Sequence, residues 1–286
     1  MRFDFSPPSC CSRRRLLLAA LAACGGRMLA TEGPPHVRIL FLGNSYMALH
    51  GLPAFVGELM LSSGVLAPHI GSYLQGGRKL GQHAADPEAL KLLRQGADDG
   101  KPWDVLVVQE QSLLSAVAAV QPEARQMMND GLSRLVTLAR EVNPKMLVVD
   151  FQVWARHESL WKKNSPDALS SGTSADEAHA RIRRANADVV KAALEKNPGA
   201  NILISPVGDF WRLAQDVYPA MPLHAEDGSP PDVLGTMLSA LVIVGTIGGR
   251  TAIEKSTWTG ECVFADVERL KKVLLDHPDV FKAAGK

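Results

Sequence analysis

Five short runs of apolar residues, separated by longer amphipathic segments, constrain the fold of this chain more than any other feature. The clearest run is Val105-Leu106-Val107-Val108, which no polar residue interrupts. A continuous run of this length is typical of a strand that is buried on both faces of a parallel sheet. The runs predict strands at residues 37–42, 69–74, 104–108, 146–149 and 201–204.

The segments between these runs have the periodicity and the start signals of helices. Pro53 falls in the first turn of the first one, where a missing N–H costs nothing. The predicted helices are residues 52–62, 122–141, 174–195, 233–247 and 263–275. The stretch 237–247 is very apolar, but it is shorter than the roughly 20 residues that span a bilayer, so we expect a buried helix. The alternation predicts a single three-layer α/β/α sandwich with a five-stranded parallel sheet.

Polar residues and glycines follow the predicted strands at the point where each strand ends. Right-handed crossovers place the carboxyl ends of parallel strands at one edge of the sheet, and open α/β folds bind ligands at that edge. The segments expected there are residues 44–45, 75–77, 109–112, 152–154 and 206–209. A sheet edge with only a structural role has little need of such amides and glycines, so the sequence predicts a ligand site there.

The N-terminus has the pattern of an export signal. Ser12-Arg13-Arg14-Arg15-Leu16-Leu17 is similar to a twin-arginine n-region, and a short apolar stretch follows it. Leu21-Ala22-Ala23-Cys24 reads like a bacterial lipobox, in which Cys24 carries the lipid and becomes the first mature residue. Cleavage by an ordinary signal peptidase after Ala30 is the alternative.

This pattern assigns residues 1–23 to a signal peptide, 24–36 to a tether and 37–286 to one folded domain. Removing the signal changes the formal net charge from +1 to −2, because the segment contains four arginines and one aspartate. A weakly acidic chain with sparse aromatic residues does not suit a nucleic-acid partner. We expect an exported protein, in the periplasm or at the outer surface, that a lipid on Cys24 anchors to the membrane.

The spacing of cysteines and histidines predicts two absences. Cys262 is the only ordinary thiol once the signal and Cys24 are set aside, so an internal disulfide is not expected. No histidine or cysteine pair has the spacing typical of a metal site, so neither a metal nor a cofactor is expected.

Four sequence blocks at the predicted sheet edge carry a family resemblance. They are Gly43-Asn44-Ser45-Tyr46, Gly76-Gly77-Arg78-Lys79-Leu80, Gln109-Glu110-Gln111-Ser112 and residues 227–235. Together they resemble the SGNH (GDSL-like) hydrolase superfamily, in a bacterial branch where G-N-S replaces G-D-S. The resemblance covers roughly residues 37–250. It implies a flavodoxin-like α/β/α fold and serine ester hydrolase activity.

The resemblance also implies roles for residues of the first three blocks. Ser45 matches the nucleophile, and its backbone N–H matches one donor to the oxyanion. Gly77 matches the second N–H donor, a position where a substrate oxygen approaches the backbone closely. The third block departs from the family's G-x-N-D, and the side-chain amide of Gln109 or Gln111 would replace the asparagine, with Gln109 preferred. Such a donor contributes roughly 3 to 4 kcal/mol.

The fourth block departs from the family at the catalytic base. The local family pattern is D-G-x-H-P-x-x-x-G; Asp227, Gly228, Pro231 and Gly235 match it, but Pro230 stands at the histidine position. A serine hydroxyl is a weak nucleophile and needs a base within hydrogen-bond reach, which proline does not supply. A triad enzyme without its base keeps roughly 10³ to 10⁴-fold rate over water.

Two other histidines are candidate surrogate bases. His224 lies three residues before Asp227, and His157 follows Trp154 near a strand end. A surface or hydrogen-bonded structural role is the alternative for each. His83, after the second block, is expected to be a helix residue that packs or lines the cleft. Trp154 suits contact with a sugar ring or an acyl group, or packing in the core.

Two functions of different class follow from these residues. The first is an acetyl or short-acyl esterase acting on a carbohydrate or small-molecule ester of the cell envelope, with Asp227 assisting whichever base is present. The second is a catalytically inactive relative, a pseudoenzyme, that binds a glycan or an acyl ligand at the cell surface. Pro230 favours the second function, whereas Ser45, Gly77 and the glutamine block favour the first.

Overall fold

The computed structural model of the protein describes residues 33–284. The predicted signal peptide, Cys24 and most of the predicted tether lie outside these residues and stay predictions. The described part contains a five-stranded, fully parallel sheet. Its strands are β1 (His36–Gly43), β2 (Ala67–Leu74), β3 (Val105–Val108), β4 (Leu147–Phe151) and β5 (Asn201–Ser205).

The strand order is β2-β1-β3-β4-β5, so β1 lies between β2 and β3. Gly43, the last residue of β1, is opposite Leu74, the last residue of β2. Leu42 is opposite Val108, the last residue of β3. The three strands therefore end nearly level with one another, and the loops that follow them meet around the end of β1. All five predicted strands are confirmed, with small differences at their ends.

Helices connect the strands and cover both faces of the sheet. Within residues 33–284 they are α1 (Ser45–Ala48), α2 (Leu52–Ser63), α3 (Leu80–His83), α4 (Pro87–Gln95), α5 (Ser112–Ala118), α6 (Pro122–Val142), α7 (Ser159–Lys162), α8 (Pro166–Ser171), α9 (Ala175–Lys196), α10 (Val207–Val217), α11 (Val233–Lys255), α12 (Phe264–Asp276) and α13 (Pro278–Ala284). A 3₁₀ turn, Leu49–Gly51, joins α1 to α2. The five predicted helices are confirmed, although α11 continues to Lys255. The longest of the remaining helices, α4 and α10, were not predicted.

Two apolar cores flank the sheet, one on each face. Ile39 and Phe41 of β1 belong to the core that α2, α10, α11 and α12 cover. Leu40 and Leu42 belong to the core that α4, α6 and α9 cover. Successive residues of β1 thus face opposite layers, the period of two expected of a strand. All four side chains are buried, so the predicted α/β/α sandwich is confirmed.

Helix α11 forms the centre of the first core. By length and composition it could cross a membrane, but about two-thirds (67%) of its most apolar stretch is buried. It packs against α2 and contributes residues 237–238 and 240–244 to the core. The expectation of a buried helix is therefore confirmed. Gly235 in its first turn is required by close packing, since a Cβ there would collide with the carbonyl of Leu223.

Candidate active site

Ser45 lies at the junction between β1 and the short helix α1. Asn44, between the two elements, has an extended backbone with φ −128° and ψ −156°. The resulting change of direction leaves Ser45 exposed, while Asn44 and Tyr46 on either side are buried. The Ser45 hydroxyl makes no hydrogen bond to any group within residues 33–284. The turn formed by residues 43–45, called the nucleophile turn below, therefore presents a free hydroxyl to solvent.

Asn44 fixes the nucleophile turn to the two neighbouring loops. Its Nδ2 donates to the carbonyls of Arg78 and Glu110, at 3.2 Å in each case. Its backbone N–H donates to Oε1 of Gln109 at 3.4 Å, and its Oδ1 accepts from the Tyr46 N–H at 3.3 Å. Asn44 is 2% exposed, so these hydrogen bonds are shielded from water and hold the turn firmly.

His83 holds the same turn from the other side. Its Nε2 donates to the carbonyl of Gly43 at 3.0 Å, which also accepts from the backbone N–H of Gln75. Burial lowers the pKa of His83 to about 4, so the imidazole is neutral at pH 7 with its proton on Nε2. The expectation of a packed helix residue is confirmed, because His83 ends α3 and is fully buried.

Gly77 lies in the turn that follows β2, beside the nucleophile turn. Its φ of +68° is left-handed, a conformation that favours glycine. Apart from Gly77 and its two chain neighbours, no atom of the described residues lies within 4 Å of the position that a Cβ would take, so the space beside this backbone is open. The hydrogen bonds from Gln75 to Gly43 and from Asn44 to Arg78 keep the loop in place. A substrate oxygen has room to approach the Gly77 backbone.

The two glutamines of the third block have different surroundings. Gln109 is fully buried against the nucleophile turn, and its Nε2 has no partner within the described part of the chain. Gln111 caps α5, where its Oε1 accepts from the backbone N–H groups of Leu113 at 3.1 Å and Leu114 at 2.9 Å. Gln109 thus contacts the turn directly, whereas the oxygen of Gln111 is committed to the helix.

The fourth block contacts the residue that follows Ser45. The hydroxyls of Tyr46 and Ser229 are 2.8 Å apart. Asp227 is exposed and accepts from the Ser229 N–H at 2.9 Å, which makes a tight local turn. Pro230 lies beside this turn, and its carbonyl accepts from the Ala225 N–H at 3.0 Å. The structure therefore brings the fourth block next to α1, with Pro230 at the position where the resemblance predicts a histidine.

Neither candidate surrogate base hydrogen bonds to Ser45. His224 donates through Nε2 to the carbonyl of Ala155 at 3.1 Å, and its Nδ1 is 3.3 Å from the amide nitrogen of Gln215. Burial lowers the pKa of His224 to about 4. The Nδ1 of His157 accepts from the Ser159 backbone N–H at 3.3 Å. The rings of His157 and His224 contact each other edge to face, with centroids 5.5 Å apart and an interplanar angle of 69°.

Trp154 is enclosed in a stack of aromatic rings. Its ring lies 4.8 Å from that of Tyr46 and 3.8 Å from that of Trp211, nearly parallel to both. Its Nε1 donates to the carbonyl of Ser229 at 3.2 Å. Trp154 is 2% exposed, so both faces of the indole are covered. In this geometry it packs the fourth block against α1 rather than offering a surface to a sugar ring.

Two buried carboxyl groups close to the site were not singled out from the sequence. Glu110 accepts through Oε1 from the N–H groups of Gln111 at 2.7 Å and Leu80 at 3.3 Å, whereas its Oε2 has no partner among the described residues. Asp150 of β4 accepts from Nδ2 of Asn186 at 2.6 Å. Burial raises the pKa of each carboxyl to about 7. The glutamate was visible in Q-E-Q-S, but the pattern does not reveal its burial.

Solved structures share this architecture. A DUF4886 family protein from Bacteroides uniformis is 18% identical, with a TM-score of 0.65, over 85% of this chain and 95% of that one. A protein from Slackia heliotrinireducens, proposed to be an SGNH hydrolase, is 25% identical, with a TM-score of 0.52, over 73% of this chain and 97% of that one. A protein from Parabacteroides merdae, proposed to be a GDSL-like lipase, is 18% identical, with a TM-score of 0.52, over 76% of this chain and 97% of that one.

No protein-family model and no curated protein sequence matches the chain. The fold is the α/β/α fold of SGNH and GDSL-like hydrolase structures, with a five-stranded parallel sheet. The predicted fold class is thereby confirmed. The likeness to the 25% identical protein from Slackia heliotrinireducens supports the hydrolase superfamily.

Proposed function

We propose that the protein is an SGNH-type serine ester hydrolase with Ser45 as its nucleophile. The observation that carries this proposal is the exposed Ser45 hydroxyl on a turn that buried hydrogen bonds fix from three directions. Accurate positioning of a reacting group lowers the barrier by several kcal/mol. The fold shared with SGNH and GDSL-like hydrolase structures supports the same class.

In the proposed reaction the Ser45 oxygen attacks the carbonyl carbon of an ester, and the carbonyl oxygen becomes an oxyanion. The N–H groups of Ser45 and Gly77 and the side-chain amide of Gln109 stabilise this charge. The tetrahedral intermediate then collapses to acyl-Ser45, and the alkoxide that leaves takes a proton from water and is released as the alcohol. Water attacks the acyl group in the same way, which releases the acid and restores Ser45. The reaction needs no cofactor.

Removal of the Ser45 proton is the slow part of this mechanism. Pro230 accepts no proton, and His224 and His157 have other hydrogen-bond partners. We therefore propose that solvent hydroxide takes the proton and becomes water. The rate of acylation should then increase about tenfold per pH unit, because the hydroxide concentration does so. A histidine base would instead give a plateau above its pKa, ordinarily about 6.5.

The proposed substrate is an acetyl or short-acyl ester on a carbohydrate or another small molecule of the cell envelope. The glutamine third block supports carbohydrate esters through the family resemblance. The export signal and Cys24 support a membrane-anchored protein in the periplasm or at the outer surface. The two proposals are independent, because a different substrate would leave the location unchanged.

Hydrolysis of p-nitrophenyl acetate by the purified protein tests the proposed nucleophile. The wild type should turn over slowly, and Ser45→Ala should reduce the rate to that of the buffer. Ser170→Ala, which removes an exposed serine of α8 outside the site, should have the wild-type rate. An active Ser45→Ala variant would contradict the proposal.

A second function, binding of a glycan or acyl ligand without catalysis, is favoured by one observation. Among the described residues no imidazole nitrogen hydrogen bonds to Ser45. If wild type is inactive on a panel of acetyl and short-acyl esters but Pro230→His is active, the cleft is intact and binding is the better proposal. Wild-type turnover that depends on Ser45 would exclude this second function.

A further inference from the structure

A second cluster of polar side chains lies at the opposite, amino-terminal edge of the sheet. His36 begins β1, and His69 belongs to the neighbouring strand β2. Nδ1 of His36 and Nε2 of His69 are 2.8 Å apart. Asp98 and Asp99 come from the segment before β3, with Asp98 Oδ1 at 2.5 Å from His69 Nδ1 and Asp99 Oδ2 at 4.0 Å from His69 Nε2. We propose that His36, His69 and Asp99 bind a zinc-type divalent cation and that Asp98 orients His69.

The contact with Asp98 determines which ring nitrogen of His69 is free to bind a cation. A carboxylate oxygen accepts hydrogen bonds, so Nδ1 of His69 carries the N–H that donates to Oδ1 of Asp98. In neutral His69 the lone pair of Nε2 then points toward Nδ1 of His36. An imidazole that donates its other N–H to a carboxylate is the usual arrangement of a metal ligand. Two imidazole nitrogens this close need either a shared proton or a cation between them.

The distance between the two imidazole nitrogens suits zinc after a small adjustment. Zinc binds imidazole nitrogen at about 2.0 to 2.1 Å in tetrahedral sites, which places two such nitrogens about 3.3 Å apart. The nitrogens of His36 and His69 are 2.8 Å apart and would have to separate by a few tenths of an ångström. The ring of His36 is exposed and has room to move. The ligand atoms of His69, Asp98 and Asp99 lie within 4.8 Å of one another. Oδ2 of Asp99, 4.0 Å from Nε2 of His69, would have to move closer to supply a carboxylate oxygen, and water would complete the four ligands.

The charges around the cluster also suit a dication. Three carboxylates, of Asp98, Asp99 and Asp104, surround the guanidinium of Arg38 and the two histidines. With neutral histidines the local charge is −2, from three carboxylates and one guanidinium. Arg38 donates to Oδ2 of Asp99 through two nitrogens, at 2.6 and 3.0 Å, and so fixes the carboxylate. Imidazole ligands select zinc over magnesium or calcium.

This proposal departs from the sequence-based expectation that no metal binds. His36 and His69 are separated by 33 residues, and His69 and Asp98 by 29, so no short spacing pattern reveals them. The cation would join the first residue of β1 to β2 and to the segment before β3. We expect it to stabilise this edge of the sheet and to take no part in the chemistry of Ser45, which lies at the other edge.

Zinc binding by the purified full chain tests the proposal. The protein is stripped with EDTA and dialysed against zinc chloride. One zinc ion per chain should bind, and His36→Ala and His69→Ala should each bind it at least tenfold more weakly. Asp98→Asn should weaken binding by about tenfold, because an orienting partner is lost. His277→Ala, which removes an exposed histidine outside the cluster, should bind as the wild type does.

Thermal unfolding separates loss of the site from loss of the fold. In EDTA the wild type and all four variants should unfold at similar temperatures, because His36 and Asp98 are exposed and His69 lies near the surface. At one fixed zinc concentration the midpoint should rise fully for the wild type and for His277→Ala, and by less for His36→Ala, His69→Ala and Asp98→Asn, in line with their weaker binding. A wild type that binds no zinc, or a His36→Ala and a His69→Ala that bind it as tightly as the wild type, would overturn the proposal.

Discussion

The first and fourth blocks meet at one edge of the sheet but are built differently. The nucleophile turn is held by buried hydrogen bonds from Asn44, Gln109 and His83. The fourth block is a more exposed loop. Within residues 33–284 Asp227 accepts only from the nearby Ser229 N–H, and Pro230 has no titratable side chain. Two tasks therefore fall to different segments. The first block positions Ser45, the proposed nucleophile, and the fourth block is where the resemblance predicts the base that would take its proton.

The largest expected effect comes from placing a base in the fourth block. Pro230→His should raise kcat/KM for p-nitrophenyl acetate by roughly 10² to 10⁴-fold, the usual contribution of a general base. Asp227 is available in the same loop to orient the imidazole, and the contact between Tyr46 and Ser229 keeps the loop beside α1. The pH profile should acquire a plateau above about pH 6.5.

Pro230→Asn is the matched control for that substitution, because it removes the proline without supplying a base. It should leave the rate near that of the wild type. An equal gain in kcat/KM in both variants would show that the gain comes from a changed loop conformation and not from proton transfer to the new imidazole.

The next largest effect concerns the buried carboxyl of Glu110 beside the nucleophile turn. Burial raises its pKa from 4.5 to about 7. Between these two pH values the unfolded chain has released the proton that the folded chain still holds. The free energy of unfolding should therefore fall as pH rises from 4.5 to 7 and level off above 7. Glu110→Gln should remove roughly 3 kcal/mol of this decline, measured by urea unfolding at pH 5 and pH 8.

Glu177→Gln is the control for this pH effect. Glu177 is half-buried, and its hydrogen bonds with Thr173, together with Arg181, lower its pKa to about 2. It stays ionised in both conditions, so the variant should keep the wild-type difference between pH 5 and pH 8. If Glu110→Gln also keeps the wild-type difference in the free energy of unfolding between pH 5 and pH 8, the folded chain does not hold a proton on Glu110. Burial then distinguishes the first block from the fourth less than we propose.

The smallest of the three effects tests the hydrogen bonds of the first block. Asn44→Asp keeps the shape of the side chain but removes both donors to the carbonyls of Arg78 and Glu110. Each buried carbonyl left without a partner costs about 1 kcal/mol or more, so unfolding should become easier by about 2 kcal/mol. The Ser45-dependent rate should fall as well, because the turn is no longer fixed.

Asn143→Asp makes the same chemical change at the opposite edge of the sheet, where Asn143 donates to the carbonyl of Trp103. This variant should lose less stability and keep the wild-type rate. Equal losses of rate in Asn44→Asp and Asn143→Asp would mean that activity follows overall stability and not the fixing of the nucleophile turn.

The strands and long helices were predictable because their burial has a local pattern. The continuous apolar run of β3 indicates a buried strand, and the periodicity of α6 and α9 indicates helices. Helix α4 was missed although Asp86 caps it and Pro87 begins it, because it is short and buries only Ala89 and Leu93. Helix α10 was missed because only Pro206 separates it from β5, so no loop signal marks its start.

At the site, the sequence predicted which loops meet but not how their side chains point. Parallel strands end at one edge, so the proximity of the loops that carry Ser45, Gly77 and Gln109 follows from the strand order. The ring of His224 faces Ala155 because two distant segments pack there, and no local pattern encodes such packing. The same reason explains why the spacing of residues gave no sign of the contact between His36 and His69.

The burial of α11 has a consequence for how the chain must be handled before it is folded. This helix is long and apolar enough to be taken for a membrane span, and membrane insertion reads such segments by length and hydropathy. Only folding hides it, by packing it against α2 and the sheet. The outcome therefore depends on timing: a chain that meets an insertion machinery before α11 is packed risks being stopped in the bilayer at this segment.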